Sequence, residues 1–373
     1  MLLELTEPQA AGVAAAMLEV ASARRAEPLS RADREGIVSA WSKVCAQAGS
    51  IDLDVLDPIT PSALAAAVPG VRERTIVVEM LAVMAFVDAD IDDAKLETVL
   101  DYAAALGVDA DFVHSMRALL ENNIKWAALD MIHHNVATIP GMPWEPNTPF
   151  APFLPYQGAN ADPALVARYE TLAQLPPESF GRAFYEHYRH NGFAFPGAED
   201  ARAERWATPH DSLHVLSGYS TSAQGELLVA AFTGAMLRNG PDMMESHVLP
   251  VILIYHMGIT INRGLNKGDD ERVALDPSWW RDNFVGDVHL GLDPAKLWVA
   301  WDRGRAMTEN VYRPDWSFWD VTTVPLDELR ANYGVPALPP EDAAAADTEI
   351  DRSAYVRPGR RLPELGVAPI LDH

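Results

Sequence analysis

Apolar residues recur along this chain at helical spacing, with little of the two-residue alternation of a half-buried strand. In Arg72–Val87 they fall at 76, 77, 80, 81, 83 and 84, which outlines a broad buried face on one helix. The same reading predicts helices over Pro8–Arg24, Arg31–Ala48, Lys95–Leu106 and Asp109–His133, punctuated by Gly49, Pro58, Pro61, Pro69 and Gly107. A second block predicts helices over Ala164–Gln174, Ser179–Asn191, Ala201–Trp206, Pro209–Leu216, Ser222–Arg238, Met243–Ile261, Pro294–Thr308 and Leu326–Asn332. Ala-rich stretches dominate, so the expected class is all-α.

Between the blocks the pattern breaks. Ile139–Pro163 carries prolines at 140, 143, 146, 149, 152, 155 and 163, and each fixes φ and removes a backbone donor. Trp144, Phe150, Phe153 and Tyr156 are interleaved, as in a strap laid over a surface. The expected organisation is two helical domains joined by a proline-rich strap: a helical domain at 1–135, the strap at 136–163, a second helical domain at 164–336 and an extended tail at 337–373. The tail runs through PEDAAAADTEIDR to a basic RPGRR without apolar periodicity.

Charge narrows the partners. Twenty-nine basic against 53 acidic residues give a formal charge of −24, which repels nucleic acid phosphates and anionic lipid surfaces. Cys45 is the only cysteine, so neither an internal disulfide nor a thiolate metal cluster is expected, and a reducing cytoplasm suits the chain. Cys45 itself reads as a small buried hydrophobe. The opening MLLELTEPQA has acids where a signal peptide carries basic residues. The most apolar run, Val248–Ile261, holds Pro250 and His256 and is shorter than the roughly 20 residues of a membrane span, so it reads as a buried core helix.

Candidate chemistry concentrates in TPHDSLHVLSGYSTSAQGELL. Thr208 reads as an N-cap with Pro209 at the first helical position. His210 and His214 then share one helix face. Gly218 can end that helix, and Thr221–Gln224 reads as a capping box for the next, which carries Glu226 in its second turn. A tight hairpin folds this carboxylate back toward the imidazoles. Two histidines and one carboxylate suit catalytic Zn²⁺, and equally ferrous iron. Asp211 lies about 100° around the helix from His210. It reads either as the partner of Thr208 in a capping box, or as a fourth ligand or second-layer acceptor. His133 and His134 are adjacent and point apart. His187 and His190 read as surface residues. His247 and His256 flank the apolar helix, and Trp279 and Trp280 read as lipid-facing wall or core. Neither a Gly-rich phosphate loop nor a G-x-S-x-G elbow is present.

HDSLH followed by eleven residues and Glu226 resembles the signature of the ubiquinone (coenzyme Q) biosynthesis protein 4 homologue family, HDxxH, eleven residues, E. Leu175–Phe193 is similar to that family's LPxGTLGRAY region, WDRGRAM (Trp301–Met307) to its WxxGRxA helix, and PLDELRANYGV (Pro325–Val335) to its closing PLEELRxELGI. The resemblance implies a helical metal and lipid domain with His210, Asp211, His214 and Glu226 as zinc-site residues. It also implies a prenylated aromatic or isoprenoid ligand in a groove partly closed by Leu249–Ile261, peripheral membrane association and partners in a biosynthetic complex. A homo-oligomer is compatible with it. Arg303 and Arg305 become candidates for a phosphate or carboxylate head group, with ordinary pairing to Asp and Glu as the alternative. The implied activity is on a prenylated aromatic, quinone-type substrate, such as removal of a ring C1 carboxyl or hydroxylation. A lipid-binding scaffold with a structural zinc and a zinc-dependent hydrolase are the alternatives.

The first domain departs from that family, which is often a single domain. Met80–Val108 resembles tellurite-resistance TerB-like helical domains in its acidic turn between two helices. Asp88, Asp90 and Asp92 alternate like calcium-loop ligands, but Asp93 stands at the sixth position and Val99 at the twelfth, so the expected role is a solvated turn capping the next helix.

Overall fold

A computed structural model describes residues 3–23, 28–87, 92–121, 124–139, 141–142, 144, 155–156, 158–199, 201–221, 223–237, 247–249, 251 and 294–338. The fold is all-α, and the described residues contain no strand beyond one isolated bridge between Ser179 and Pro325. The first half holds α1 (Glu7–Ala21), α2 (Arg31–Lys43), α3 (Pro61–Ala67), α4 (Val71–Phe86), α5 (Asp93–Leu106), α6 (Asp111–Leu120) and α7 (Ile124–Ala137). The second half holds α8 (Pro163–Glu170), α9 (Phe180–Asn191), α10 (Glu204–Ser217), α11 (Ala223–Leu237), α12 (Pro294–Ala306), α13 (Phe318–Val321) and α14 (Leu326–Asn332).

The centre of the first half is α4, buried on every side from Thr75 to Phe86. Its neighbours α1, α2 and α5 cover it, and an apolar helix covered all round is what that arrangement requires. Lys95 of α5 reaches Asp33 of α2 at 3.6 Å with both side chains fully buried, so each charge has its opposite in a place where water does not reach. Asp92 caps α5 by accepting from the amides of Ala94 (2.8 Å) and Lys95 (3.3 Å), the capping role expected of the acidic turn. Asp88 and Asp90 lie outside the described residues. Cys45 is buried, and burial pushes its thiol up to about 12, so it stays protonated and inert.

Three expectations about elements need correcting. The proline-punctuated segment after Pro58 contains α3: Pro61 occupies its first turn, where an amide would have no partner, and Thr60 accepts from the Ala63 amide at 3.2 Å. The single helix expected over Asp109–His133 is two, with α6 ending at Leu120 and α7 starting at Ile124. The two short helices expected over Ala201–Trp206 and Pro209–Leu216 are one continuous α10 that runs through Pro209.

The buried apolar side chains form one cluster that runs through both halves. Among the described helices α12 packs along α11 on one side and α2 on the other, which joins the two halves. The α11–α12 contact is backbone-close: an ideal Cβ on Gly304 would lie 2.0 Å from the Phe232 carbonyl oxygen. Of the strap, Trp144 stacks on His133 with centroids 4.9 Å apart, and the Tyr156 hydroxyl accepts from the Glu204 amide at the start of α10 at 3.3 Å. Phe150, Phe153, most of the apolar segment to Ile261 with His256, Trp279 and Trp280, and residues 339–373 of the tail lie outside the described residues. Among the described helices none is long and apolar enough to cross a membrane.

Candidate metal centre

Helix α10 presents His210 and His214 one turn apart, and the chain then reverses. Gly218 takes the left-handed conformation (φ +82°) that ends the helix, its amide donating to the His214 carbonyl at 2.8 Å. The first turn of α11 packs straight onto this reversal. An ideal Cβ on Gly225 would lie 2.0 Å from the Ser220 carbonyl oxygen, so only glycine admits the approach. Thr221 ties the same turn to the end of α9 by donating to Asn191 Oδ1 at 2.7 Å.

The reversal delivers Glu226 to the two imidazoles. His210 Nε2 and His214 Nε2 are 3.2 Å apart. Glu226 Oε2 lies 3.4 Å from the first and 3.5 Å from the second. Three donors around one ion at roughly 2.0–2.1 Å in tetrahedral array would be separated by about 3.3–3.4 Å. The oxygen is buried and has no hydrogen-bond partner. A buried carboxylate oxygen facing two ring nitrogens, with no donor of its own, has the chemistry of a ligand set. His210, Asp211 and His214 likewise present donor atoms within 4.8 Å of one another, a grouping able to hold a metal ion.

Each ligand candidate is held from behind. His214 Nδ1 faces the Tyr219 carbonyl at 3.0 Å, so a proton there leaves the Nε2 lone pair free for a cation. Trp206 stacks on His210 (4.9 Å, 19°) and His187 stacks on His214 (5.4 Å, 25°). Asp211 accepts a 2.5 Å hydrogen bond from the Tyr188 hydroxyl, and His187 Nε2 stands 4.0 Å from its other oxygen. The capping role weighed for Asp211 is not what the structure shows. Thr208 sits inside α10, not at its start, and its hydroxyl meets the Tyr169 hydroxyl at 2.6 Å.

His187 is the residue that the sequence reading misplaced. It was expected at the surface, yet its side chain is only 12% exposed and its buried Nε2 has no hydrogen-bond partner. The signal was present: His187 stands seven residues after Phe180 and three after Phe184, both fully buried on the inner face of α9. His190 is exposed, as expected. His247 is buried. The structure gives the two arginines expected at a head group other partners. Arg303 is buried and donates to the carbonyls of Ser217 (2.8 Å) and Pro336 (2.8 and 3.1 Å). With Arg330, which donates to the Val215 and Leu216 carbonyls, it satisfies the open end of α10. Arg305 pairs with Asp302 at 2.8 Å. A second grouping, Asp130, His133 and His134, lies on α7. Both His134 nitrogens there already have acceptors, the Asp130 carbonyl and Asp111 Oδ2, each at 2.8 Å.

Electrostatics agree with the geometry. Burial works against an ionised Glu226, but the His214 and His210 imidazoles outweigh it and hold the carboxyl well below its usual range. Burial likewise works against a charged His214, and Glu226 with Asp211 overrides it, so His214 is raised. Burial pulls His187 down to about 4 and His247 down to about 3. The last pair has a consequence for the metal-free protein. Both histidines are neutral when folded, and the unfolded chain protonates them near 6.5. Their contribution is complete above that pH and shrinks on acidification, by on the order of 1 kcal/mol per pH unit for each. His214, with a raised folded value, works in the opposite direction: its contribution is full below 6.5 and fades as pH rises through the folded value. A His187→Gln/His247→Gln chain is therefore expected to lose less stability between pH 6.5 and 5 than the wild type in urea melts of metal-free protein. Equal losses would show that these rings are not buried neutral.

Comparison with protein-family models, with curated proteins and with solved structures finds no match for this chain.

Proposed function

We propose that this chain is a metal-binding protein of ubiquinone-biosynthesis type, which acts on or presents a prenylated aromatic, quinone-like molecule. One observation carries the metal reading: His210 Nε2, His214 Nε2 and Glu226 Oε2 converge within 3.5 Å, and the carboxylate oxygen is buried without a donor. The substrate class rests on the four ordered motifs between Leu175 and Val335.

His210, His214 and Glu226 would hold the ion, with Asp211 beside them as fourth ligand or charge partner. Zn²⁺ fits this donor set, and the two-histidine, one-carboxylate set equally fits Fe²⁺. A bound ion supplies Lewis acidity toward a carboxylate or carbonyl of the substrate. The chain's own groups do the rest. The Tyr219 carbonyl fixes the His214 tautomer, Tyr188 holds Asp211 by its hydroxyl, and the stacked rings of Trp206 and His187 support the His210 and His214 imidazoles. His210 keeps 19% of its side chain exposed while His214 is fully enclosed, so the set opens on the His210 side. An open side suits a centre that meets substrate, whereas a structural zinc is closed.

Native mass spectrometry with elemental analysis of the purified full chain, followed by solvent extraction, tests both halves of the reading. The expected result is about one zinc or iron per chain and an extractable isoprenoid-bearing aromatic. A wild-type protein that carries neither, and takes up neither on addition, would remove the basis for this assignment.

A further inference from the structure

Beside α10 lies an open cleft of about 720 Å³, and no residue of α11 lines it. That is a ligand-sized volume. Its walls are aromatic, with Tyr312, Trp316, Phe318 and Trp319 on one stretch of chain, and the Thr208–Pro209 pair of α10 closes another side. None of His210, His214 and Glu226 lines it.

The charges in this cleft are unusual for so acidic a chain. Other arginines have carboxylate partners: Arg31 meets Glu35 at 3.2 Å, and Arg182 meets Glu186 at 2.5 Å. Arg313 at the cleft rim is also neutralised, by Asp315 at 2.8 Å and Glu309 at 3.4 Å. Arg168 and Arg205 are different. Arg168 lies 3.8 Å over the Trp319 ring and has neither a carboxylate nor a hydrogen-bond acceptor for its guanidinium among the described residues. Arg205 donates to the Gly141 backbone carbonyl and has no carboxylate partner among them. The carboxylate in the lining, Glu204, accepts from the Tyr169 hydroxyl at 2.9 Å. Arg168 and Arg205 thus offer guanidinium donors that no described carboxylate occupies, in a cavity walled by rings.

We propose that this cleft binds a flat aromatic monoanion, an aryl carboxylate, with its ring among Tyr312, Trp316 and Trp319 and its charge answered by Arg168 and Arg205. A guanidinium matches a carboxylate with two parallel donors, and that of Arg168 is seated 3.8 Å over the Trp319 ring. A phosphate would leave the aromatic walls unused. The site is separate from the metal centre and needs no ion.

The test is calorimetric titration of the full chain, metal-loaded and chelator-treated, with 2-naphthoate, with neutral 2-naphthylmethanol and with inorganic phosphate. Saturable 2-naphthoate binding of equal strength with and without metal is expected. Naphthylmethanol and phosphate should each bind at least about tenfold more weakly. Arg168→Gln and Arg205→Gln, both at exposed positions, should each weaken naphthoate by about tenfold with an unchanged circular dichroism spectrum. Trp319→Leu should do the same without altering charge. The proposal is overturned if 2-naphthoate fails to bind, if it binds only when metal is present, if the alcohol or phosphate equals it, or if the arginine variants leave it unchanged. Because the chelated arm carries no ion, absence of metal in the wild type would defeat the metal reading and leave this result standing.

Discussion

His214→Ala is expected to strip the metal and to destabilise the chain in one step. The variant should purify with less than about a tenth of the wild-type metal content, because one imidazole and one carboxylate make a poor two-point site. It should also unfold more easily by about 3–5 kcal/mol in urea, the usual result of removing one partner of a buried charge pair. The reason is Glu226. Its carboxylate is 5% exposed, its Oε2 lacks any hydrogen bond, and the His214 ring is its fully buried counter-group. His210→Ala separates the two effects. His210 is partly exposed, so its loss should empty the site equally while disturbing stability less. Elemental analysis and urea melts of both variants check this. Full metal occupancy in His214→Ala would mean that the ion sits elsewhere or that this set holds none.

Gly304→Ala is expected to damage the fold severely. The new Cβ would stand 2.0 Å from the Phe232 carbonyl oxygen and 2.7 Å from its carbonyl and α carbons. All three atoms are backbone, so no side chain can swing aside, and α11 and α12 must part. Overpacking of a core costs about 1–3 kcal/mol when side chains can adjust. With rigid backbone on both sides the expected loss is at least about 3 kcal/mol. Since α12 also bears on α2, the loss should be felt in both halves of the molecule. Gly107→Ala is the control: its φ is +69°, but nothing lies within 4 Å of the added atom, so only about 1 kcal/mol of backbone strain is expected. Urea melts that place Gly304→Ala within about 1 kcal/mol of wild type would show that the two helices do not approach so closely.

Much of the fold and of the centre is readable in the amino-acid sequence. The three-to-four-residue spacing of apolar positions in α4 identified a helix, and its burial all round explains why that pattern was so broad. His210, His214 and Glu226 are readable from a four-residue step, a helix-ending glycine at 218 and the capping-box pattern of Thr221–Gln224, and the structure brings the three side chains together. The failures have local causes. Thr208–Pro209 has the composition of a helix start, and propensity alone cannot reveal that α10 began at Glu204 and continued through the proline. Thr208 went instead to Tyr169, a contact thirty-nine residues away in sequence. The three-residue step from His187 to His190 suggests a surface face, whereas the register of His187 with Phe180 and Phe184 points inward. The roles of Arg303 and Arg330 depend on where α12 and α14 dock against the end of α10, which no short-range pattern encodes.

The Tyr219 carbonyl gives the reversal after α10 a meaning beyond connection. The acceptor that sets the proton on His214 belongs to the main chain, so its presence depends on how many residues the turn contains and not on which side chain occupies position 219. An extra residue between Gly218 and Tyr219 would preserve every donor by name and still carry this carbonyl away from the imidazole. Loop length is thus a control on the centre's chemistry that side-chain substitution, position by position, would never expose.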